Sequence, residues 1–218
     1  MTRREGGEYT LIERYLSISR VNLKHHMLPH IIVAVGLFFL APFIMGVRNL
    51  DLYYTAKVLD TYVSLFGIVL LVPLFLPDQD KDIRELIRSK RESIVVLHFI
   101  RMGQALLVLS IFVASFLAFL QKGNCIFPFG RYFYGTMSSC IFLGGLGILI
   151  YAFVDNIAAV YMVPLMYYIL CYGGGKKYLG KFYLFSMFNG TVEDKIYLLI
   201  AGLVMIIAGI LIRKRFPG

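Results

Sequence analysis

The sequence predicts an all-α, polytopic integral membrane protein with about six transmembrane helices, on the strength of its composition and the distribution of its apolar residues. Of the 218 residues, 59% are hydrophobic and 16% are charged, and the mean hydropathy is +0.74. Soluble domains are typically about half apolar and about a quarter charged. The apolar residues are gathered into long runs, with no room between them for a soluble domain of ordinary size. We therefore expect residues 1–218 to form a single transmembrane domain.

Each predicted span is a run of mainly apolar residues, for which about 20 residues are needed. The fifth run is short, and only Asp155-Asn156 separates it from the fourth. A tight turn at this Asp-Asn pair predicts two helices and six spans, whereas one continuous helix would leave five. The predicted spans cover residues 28–47, 61–76, 95–120, 134–154, 157–172 and 197–212.

The distribution of Lys and Arg predicts the orientation, because cytoplasmic loops carry an excess of both. With the N-terminus inside, the inner segments hold 14 Lys and Arg and the outer segments hold 8. This bias places both termini in the cytoplasm. The net charge of +9 is then explained by residues that flank spans and face anionic headgroups, so we expect no nucleic-acid partner.

The stretch TLIERYLSISRVNLKHH, which precedes the first span, is typical of an amphipathic interfacial helix. Thr10 and Glu13 form a capping box, and basic residues alternate with apolar ones at helical spacing. Pro29 marks the point where the chain turns into the membrane. The residues expected to anchor this helix in the inner interface are Leu11, Ile12, Tyr15 and Leu16.

The stretch PDQDKDIRELIRSKRESIVVLHFIR, which begins at Pro77, predicts a charged helix between the second and third spans. Asp78 or Asp80 can cap this helix. Three apolar residues within it share one face, while charged residues cover the rest. An apolar stripe with charged flanks is typical of a helix that binds another surface. The pattern alone leaves lipid headgroups and a protein groove as alternatives for that surface. The stripe consists of Ile83, Leu86 and Ile87.

The outer segment at residues 173–194 begins with three glycines and continues with Lys, Tyr and Phe residues. It predicts a break in the helix, followed by a half-apolar helix that dips back into the membrane edge. Because re-entrant backbone must be covered by protein or by water, we expect this segment to pack against a neighbouring helix.

Motifs for enzymatic chemistry are not found. GGGKK at residues 173–177 lacks the earlier glycine and the following Ser or Thr of a phosphate-binding loop. His26 and His30 are one helical turn apart, but Pro29 lies between them and no further ligand is nearby, so no metal site is expected. Cys125, Cys140 and Cys171 fit neither a disulfide framework nor a zinc site, and the sequence contains no HExxH or GxSxG motif. We predict that the chain is not an enzyme.

Five polar residues lie near predicted span ends, where long side chains can reach the interface. None is placed like a proton relay through the membrane centre, so we interpret them as structural. They are Asp60, His98, Arg101, Gln104 and Asp155.

In the order of these elements the chain resembles the membrane subunit of the type-2 ABC exporter family, found in bacterial ABC transporters. The resemblance covers nearly the whole chain in topology. Its most specific stretch is PLFLPDQDKDIRELIRSKRESIVVLHFIR at residues 73–101, and the last span ends in RKRF. No single motif in it is diagnostic.

The resemblance implies a permease subunit of the bacterial cell membrane, with 1–28 as the cytoplasmic N-terminus and its elbow helix. Residues 77–94 would be the cytoplasmic coupling-helix loop, and 173–194 an extracellular re-entrant segment. The helix at 80–91 would dock on a separate ATPase subunit, which would bind the ATP and Mg²⁺. The residues implied to make that contact are Asp82, Ile83, Arg84, Glu85, Leu86, Ile87 and Arg88.

A second permease subunit, identical or different, and membrane lipids complete the implied partners. Substrates compatible with an apolar and aromatic pathway include peptides, lipids and drug-like molecules. The alternative is a non-transporting membrane assembly or sensor protein.

Overall fold

The computed structural model describes residues 20, 22–79, 94–154 and 156–215, and every regular element in those ranges is helical. The predicted all-α class is therefore confirmed. A π-helical segment at Asn22–Met27 comes first. The α-helices follow in chain order: α1 at Leu28–Met45, α2 at Leu52–Thr61, α3 at Phe66–Leu71, α4 at Ile94–Lys122, α5 at Phe129–Phe153, α6 at Ile157–Tyr172, α7 at Gly175–Leu179 and α8 at Lys195–Arg215. Short 3₁₀ segments lie at Val63–Leu65, Val72–Gln79 and Gly180–Phe182.

Five helical stretches in the described ranges are long and apolar enough to cross a membrane, and α6 with the short helices after it makes up to six. These stretches, which we call spans, indicate a membrane-embedded protein. The five are Leu28–Met45, Leu52–Leu76, Val95–Lys122, Phe129–Phe153 and Lys195–Arg213.

The second span begins at Leu52, earlier than the predicted start at residue 61. Its first helix, α2, has a side-chain cap, because the Asp51 carboxylate accepts a hydrogen bond of 2.8 Å from the backbone N–H of Tyr54. Lys57 and Asp60 interrupt the apolar run in the sequence, which is why the predicted start was wrong. In the structure both residues lie inside the span.

The fourth and fifth predicted spans are separate helices. Helix α5 ends at Phe153, and α6 begins at Ile157. Asn156 caps α6, since its side-chain oxygen accepts a hydrogen bond of 2.9 Å from the backbone N–H of Ala158. The break therefore falls at the predicted Asp-Asn pair.

Helix α5 lies at the centre of the bundle and packs against the second span, α6 and α8. The contact with α8 is closest where Gly145 faces Gly202. A Cβ atom on Gly145 would lie 2.6 Å from the Gly202 carbonyl oxygen, and one on Gly202 would lie 2.8 Å from the backbone nitrogen of Phe142. On the side facing the second span, a Cβ on Gly67 would overlap the Cys140 backbone. Glycines thus bring three backbones together, as small residues do in membrane helix pairs.

The peripheral helices expose large apolar side chains. Within the most apolar stretch of each helix, 11% is buried inside the protein in α1, 72% in α5 and 78% in the second span. Phe43 on α1 is 87% exposed, and Ile169 on α6 is 65% exposed. A helix that is apolar on its exposed face suits a lipid environment.

Two predicted elements lie outside the described residues. They are the N-terminal interfacial helix, with Leu11, Ile12, Tyr15 and Leu16, and the coupling helix at 80–91.

Candidate functional site

A buried ion pair joins the second span to the last one. The Asp60 carboxylate near the end of α2 lies 2.5 Å from the ammonium of Lys195, the first residue of α8. Both side chains are 0% exposed. Burying charges of either sign is costly unless they are paired and hydrogen-bonded, so each of these groups depends on the other.

Further hydrogen bonds satisfy the Lys195 ammonium. Besides Asp60, it donates to the Ser139 hydroxyl of α5 at 2.6 Å and to the Leu184 carbonyl at 2.5 Å. A lysine ammonium has three donor hydrogens, and these three acceptors use all of them. The ion pair therefore also reaches α5.

The second Asp60 oxygen holds the segment that follows the glycine break. It accepts a hydrogen bond of 2.9 Å from the backbone N–H of Met187 and a longer one of 3.4 Å from that of Phe188. Together with the Leu184 carbonyl, these bonds fasten residues 184–188 to two spans. We call Asp60, Ser139 and Lys195, with the backbone of residues 184–188, the latch.

The chain reverses direction before it reaches the latch. Helix α6 ends at Tyr172 and is followed by Gly173 and Gly174. Gly174 has a φ of +106°, a backbone conformation that favours glycine. Helix α7 and the 3₁₀ turn after it are bent 108° from α6. Residues 183–187 are then all buried. We call residues 175–190 the cap, because they cover the end of the bundle where the latch lies.

Aromatic side chains hold the cap to α6. The hydroxyl of Tyr167 donates to the Phe182 carbonyl of the cap at 2.6 Å, while that of Tyr168 joins α6 to the second span by donating to the Thr61 carbonyl at 2.5 Å. The Phe185 ring packs edge-on against Tyr168, with centroids 5.3 Å apart, and against Tyr172, at 4.9 Å. Apolar burial thus surrounds the latch and keeps water from the ion pair.

A second polar cluster lies at the opposite end of the bundle. The His98 ring packs against Phe75, with centroids 4.8 Å apart, and Phe75 packs against Tyr151 at 5.6 Å. The guanidinium of Arg213 lies 5.6 Å from the centre of the Tyr151 ring. His98, Arg101 and Arg213 are 1%, 7% and 6% exposed. His98 and Arg101 of α4 and Arg213 of α8 therefore lie buried at this end, opposite the buried Lys195 at the start of α8.

Cavities lined by described residues lie at both ends of the bundle. The one beside Arg101 and His26 has a volume of about 10 Å³, about enough for one water molecule. The other is an open groove of about 780 Å³ between the loops at 46–51 and 123–128. The backbone N–H of Asn49 donates to the Gly123 carbonyl at 2.8 Å and holds these loops together. Neither cavity passes between the central helices.

The structure changes the interpretation of the polar residues near span ends. Asp60 was expected at a span boundary and is instead fully buried in the latch. His98 and Arg101 are buried in protein and do not reach the surface. Gln104 accepts a hydrogen bond of 2.9 Å from Asn22, and Asp155 lies outside the described residues.

Lys195 directly follows the outer segment at residues 173–194, and the sequence did not identify it as a site residue. The sequence contains only a weak signal that Lys195 and Asp60 form a pair. Asp60 in KVLDTYVSLF and Lys195 in EDKIYLLIAG each adjoin an apolar run, and they have opposite charge. Nothing local in the sequence pairs two residues that lie 135 positions apart.

The predicted coupling residues 82–88 lie outside the described ranges, as do the predicted interfacial anchors at 11–16. His26 and His30 are described. Among the described residues, no group of three or more His, Cys, Asp and Glu side chains could hold a metal ion.

The fold and the latch define a class: an all-helical protein with five or six membrane-length helices and a bent helix pair closing one end. Comparison of the chain with protein-family models, with curated proteins and with solved structures finds no match.

Proposed function

We propose that this chain is the permease subunit of an ATP-driven exporter of the ABC type, moving its substrate by alternating access. The observation that carries the proposal is the cap, a broken helix pair folded over one end of the bundle and held there by the latch. A carrier needs an end that closes and can open. The hydrogen bonds of the cap reach the second span, α6 and α8, so its release would break a limited set of bonds.

The packing of the central helices supports a pathway between two permease subunits. Where α5 meets α8 and the second span, glycines bring the backbones into contact and leave no passage. A substrate route through these contacts would require the bundle to separate. A second permease subunit, identical or different, would supply the other wall of the pathway. The exposed apolar faces of the peripheral helices leave surface for such a neighbour and for lipid.

ATP hydrolysis is assigned to a partner chain. The sequence lacks a phosphate-binding loop, and the family resemblance places the ATPase contact at residues 82–88. In this arrangement the coupling helix would transmit the closure of the ATPase to the second and third spans, which flank it. The chain itself would bind neither ATP nor Mg²⁺.

The decisive experiment is purification of the tagged full-length chain from its native membranes, followed by mass spectrometry of the proteins that remain bound. We expect an ABC ATPase and ATP hydrolysis in the purified complex. The double substitution Leu86→Ala, Ile87→Ala should release the ATPase, because truncation of a buried interface anchor often costs about 2 kcal/mol or more. That loss corresponds to an affinity about thirtyfold weaker.

The matched control is Ser89→Ala, Lys90→Ala, which changes two residues of the same loop outside the implied contact. This variant should keep the ATPase bound. Recovery of the chain without any ABC ATPase would favour the alternative, a non-transporting membrane assembly or sensor protein. Normal ATPase binding and normal transport by the Leu86, Ile87 variant would remove the coupling-helix assignment.

A further inference from the structure

We infer that Lys176, Lys177 and Tyr178 form a docking surface for the phosphate headgroups of anionic lipids. This inference does not depend on the transport function or on which side of the membrane the cap faces. It rests on the position of the cap, on its exposed aromatic residues and on two lysines that have no carboxylate partner in the described part of the chain.

The position follows from the bend after α6. Helix α6 exposes apolar side chains along its length, with Met166 63% and Ile169 65% exposed, so it faces lipid. Because α7 is bent 108° from α6, it turns away from the direction of α6 at the end of the bundle, where a membrane crossed by these helices would place its headgroups. Tyr178 on α7 is 81% exposed, and Phe182 just after it is 44% exposed. Aromatic residues are enriched at this depth in membrane proteins.

The charges on this segment differ in how they are compensated. Arg131, an exposed cation at the same end, lies 2.5 Å from the Glu193 carboxylate. Lys181 donates a hydrogen bond of 3.0 Å to the Tyr197 hydroxyl and lies 4.6 Å from the centre of that ring. Lys176 and Lys177 are exposed, and the described part of the chain places no carboxylate in ion-pair contact with either.

These two lysines also lie in the segment that weakens the positive-inside bias, since they belong to the 8 basic residues of the outer segments. Anionic lipid attracts basic residues near the membrane surface. The two adjacent ammonium groups would therefore bind the phosphate of a lipid. The exposed tyrosine beside them would contact its glycerol and acyl chains. Bound lipid here would hold the cap in place from outside, as the latch does from inside.

The chain contains no tryptophan, so Tyr178→Trp introduces a single fluorescent reporter at the site. The full-length variant would be reconstituted in equal mixtures of phosphatidylglycerol and phosphatidylcholine, with one or the other lipid brominated. We expect brominated phosphatidylglycerol to quench the tryptophan fluorescence at least about twofold more strongly than brominated phosphatidylcholine. Adding Lys176→Gln and Lys177→Gln should bring the ratio to one, while Lys176→Arg, Lys177→Arg should keep it high.

Two controls make the result specific. Arg131→Gln in the same reporter background removes a cation that is already paired, and should leave the ratio unchanged. Tyr54→Trp, at a residue that is 54% exposed at the same end beside Asp51, should show equal quenching by both lipids. Equal quenching of the Tyr178→Trp reporter by the two lipids would overturn the inference. Quenching by neither lipid would also overturn it, because the site would then not contact lipid.

Discussion

Asp60 and Lys195 are charged residues that the fold removes from solvent. Both are fully buried, and each has its charge balanced by the other and by neighbouring hydrogen bonds. Replacement of a buried ion pair by uncharged groups is often nearly neutral, whereas removal of one partner leaves an uncompensated buried charge. The pair therefore links the stability of the bundle to the placement of the cap.

We predict that Asp60→Asn and Lys195→Met each lower the free energy of unfolding in detergent by about 3–5 kcal/mol. The double variant should be more stable than the sum of the two losses implies, since the introduced amide keeps an acceptor for the Met187 N–H and no buried charge remains. The difference, a coupling energy of about 1–3 kcal/mol, is measured by a double-mutant cycle in chemical denaturation.

The control pair is Arg131 and Glu193, which are also 2.5 Å apart but have side chains 51% and 76% exposed. Arg131→Gln and Glu193→Gln should each change stability by less than about 1 kcal/mol. Strict additivity at Asp60 and Lys195 would show that the buried pair does not act as a unit.

At the scale of elements, the contact between α5 and α8 depends on two glycines that let their backbones touch. We predict that Gly202→Ala lowers the stability of the bundle by about 1–3 kcal/mol, because its Cβ would lie 2.8 Å from the Phe142 backbone nitrogen. Gly103→Ala on α4 has open space around the new Cβ and should be neutral or raise stability by up to about 1 kcal/mol.

Thermal unfolding of both variants in the same detergent measures this difference. Equal stability of the two would mean that α5 and α8 can move apart at little cost. That result would also weaken the case for a substrate path between subunits rather than through one bundle.

At the scale of the molecule, charged side chains are buried at both ends of the bundle. Asp51, Asp60 and Glu193 lie at the end covered by the cap, together with the basic partners Arg131 and Lys195. Buried His98, Arg101 and Arg213 lie at the other end. The orientation comes from the sequence, where the excess of Lys and Arg in the inner segments predicts that the cap faces outward.

Single-cysteine labelling tests that orientation in intact cells, in a background without the three native cysteines. The sequence points to Asn124 as an outer position, but Asn124 has a φ of +60°, which disfavours cysteine. Ile126 lies in the same loop and is 85% exposed, so Ile126→Cys is the better reporter. We predict that an impermeant reagent labels Ile126→Cys and leaves Ser89→Cys unlabelled until the cells are opened. The opposite pattern would invert the topology and remove the family assignment.

The amino-acid sequence by itself determined the class of this protein and most of its helices. Long apolar runs require helices, because backbone groups in lipid must be hydrogen-bonded within their own segment. That requirement is local, so the break at Asp155-Asn156 and the glycine break at Gly173–Gly174 could be located from a few neighbouring residues. The predicted elbow and coupling helices rest on local patterns too, and they remain predictions.

The tertiary structure alone decided which polar residues form buried contacts between helices. In the sequence, Lys57 and Asp60 mark the edge of an apolar run, because a hydropathy scale treats every charged residue as exposed, whether or not it has a partner. Only the packing of the second span, α5 and α8 brings Asp60 within 2.5 Å of Lys195 and closes the cap over them. Glycines at the helix contacts set that packing, and their role depends on which backbone lies opposite each of them. Pairing between distant residues is a property of the assembled bundle, and no local pattern encodes it.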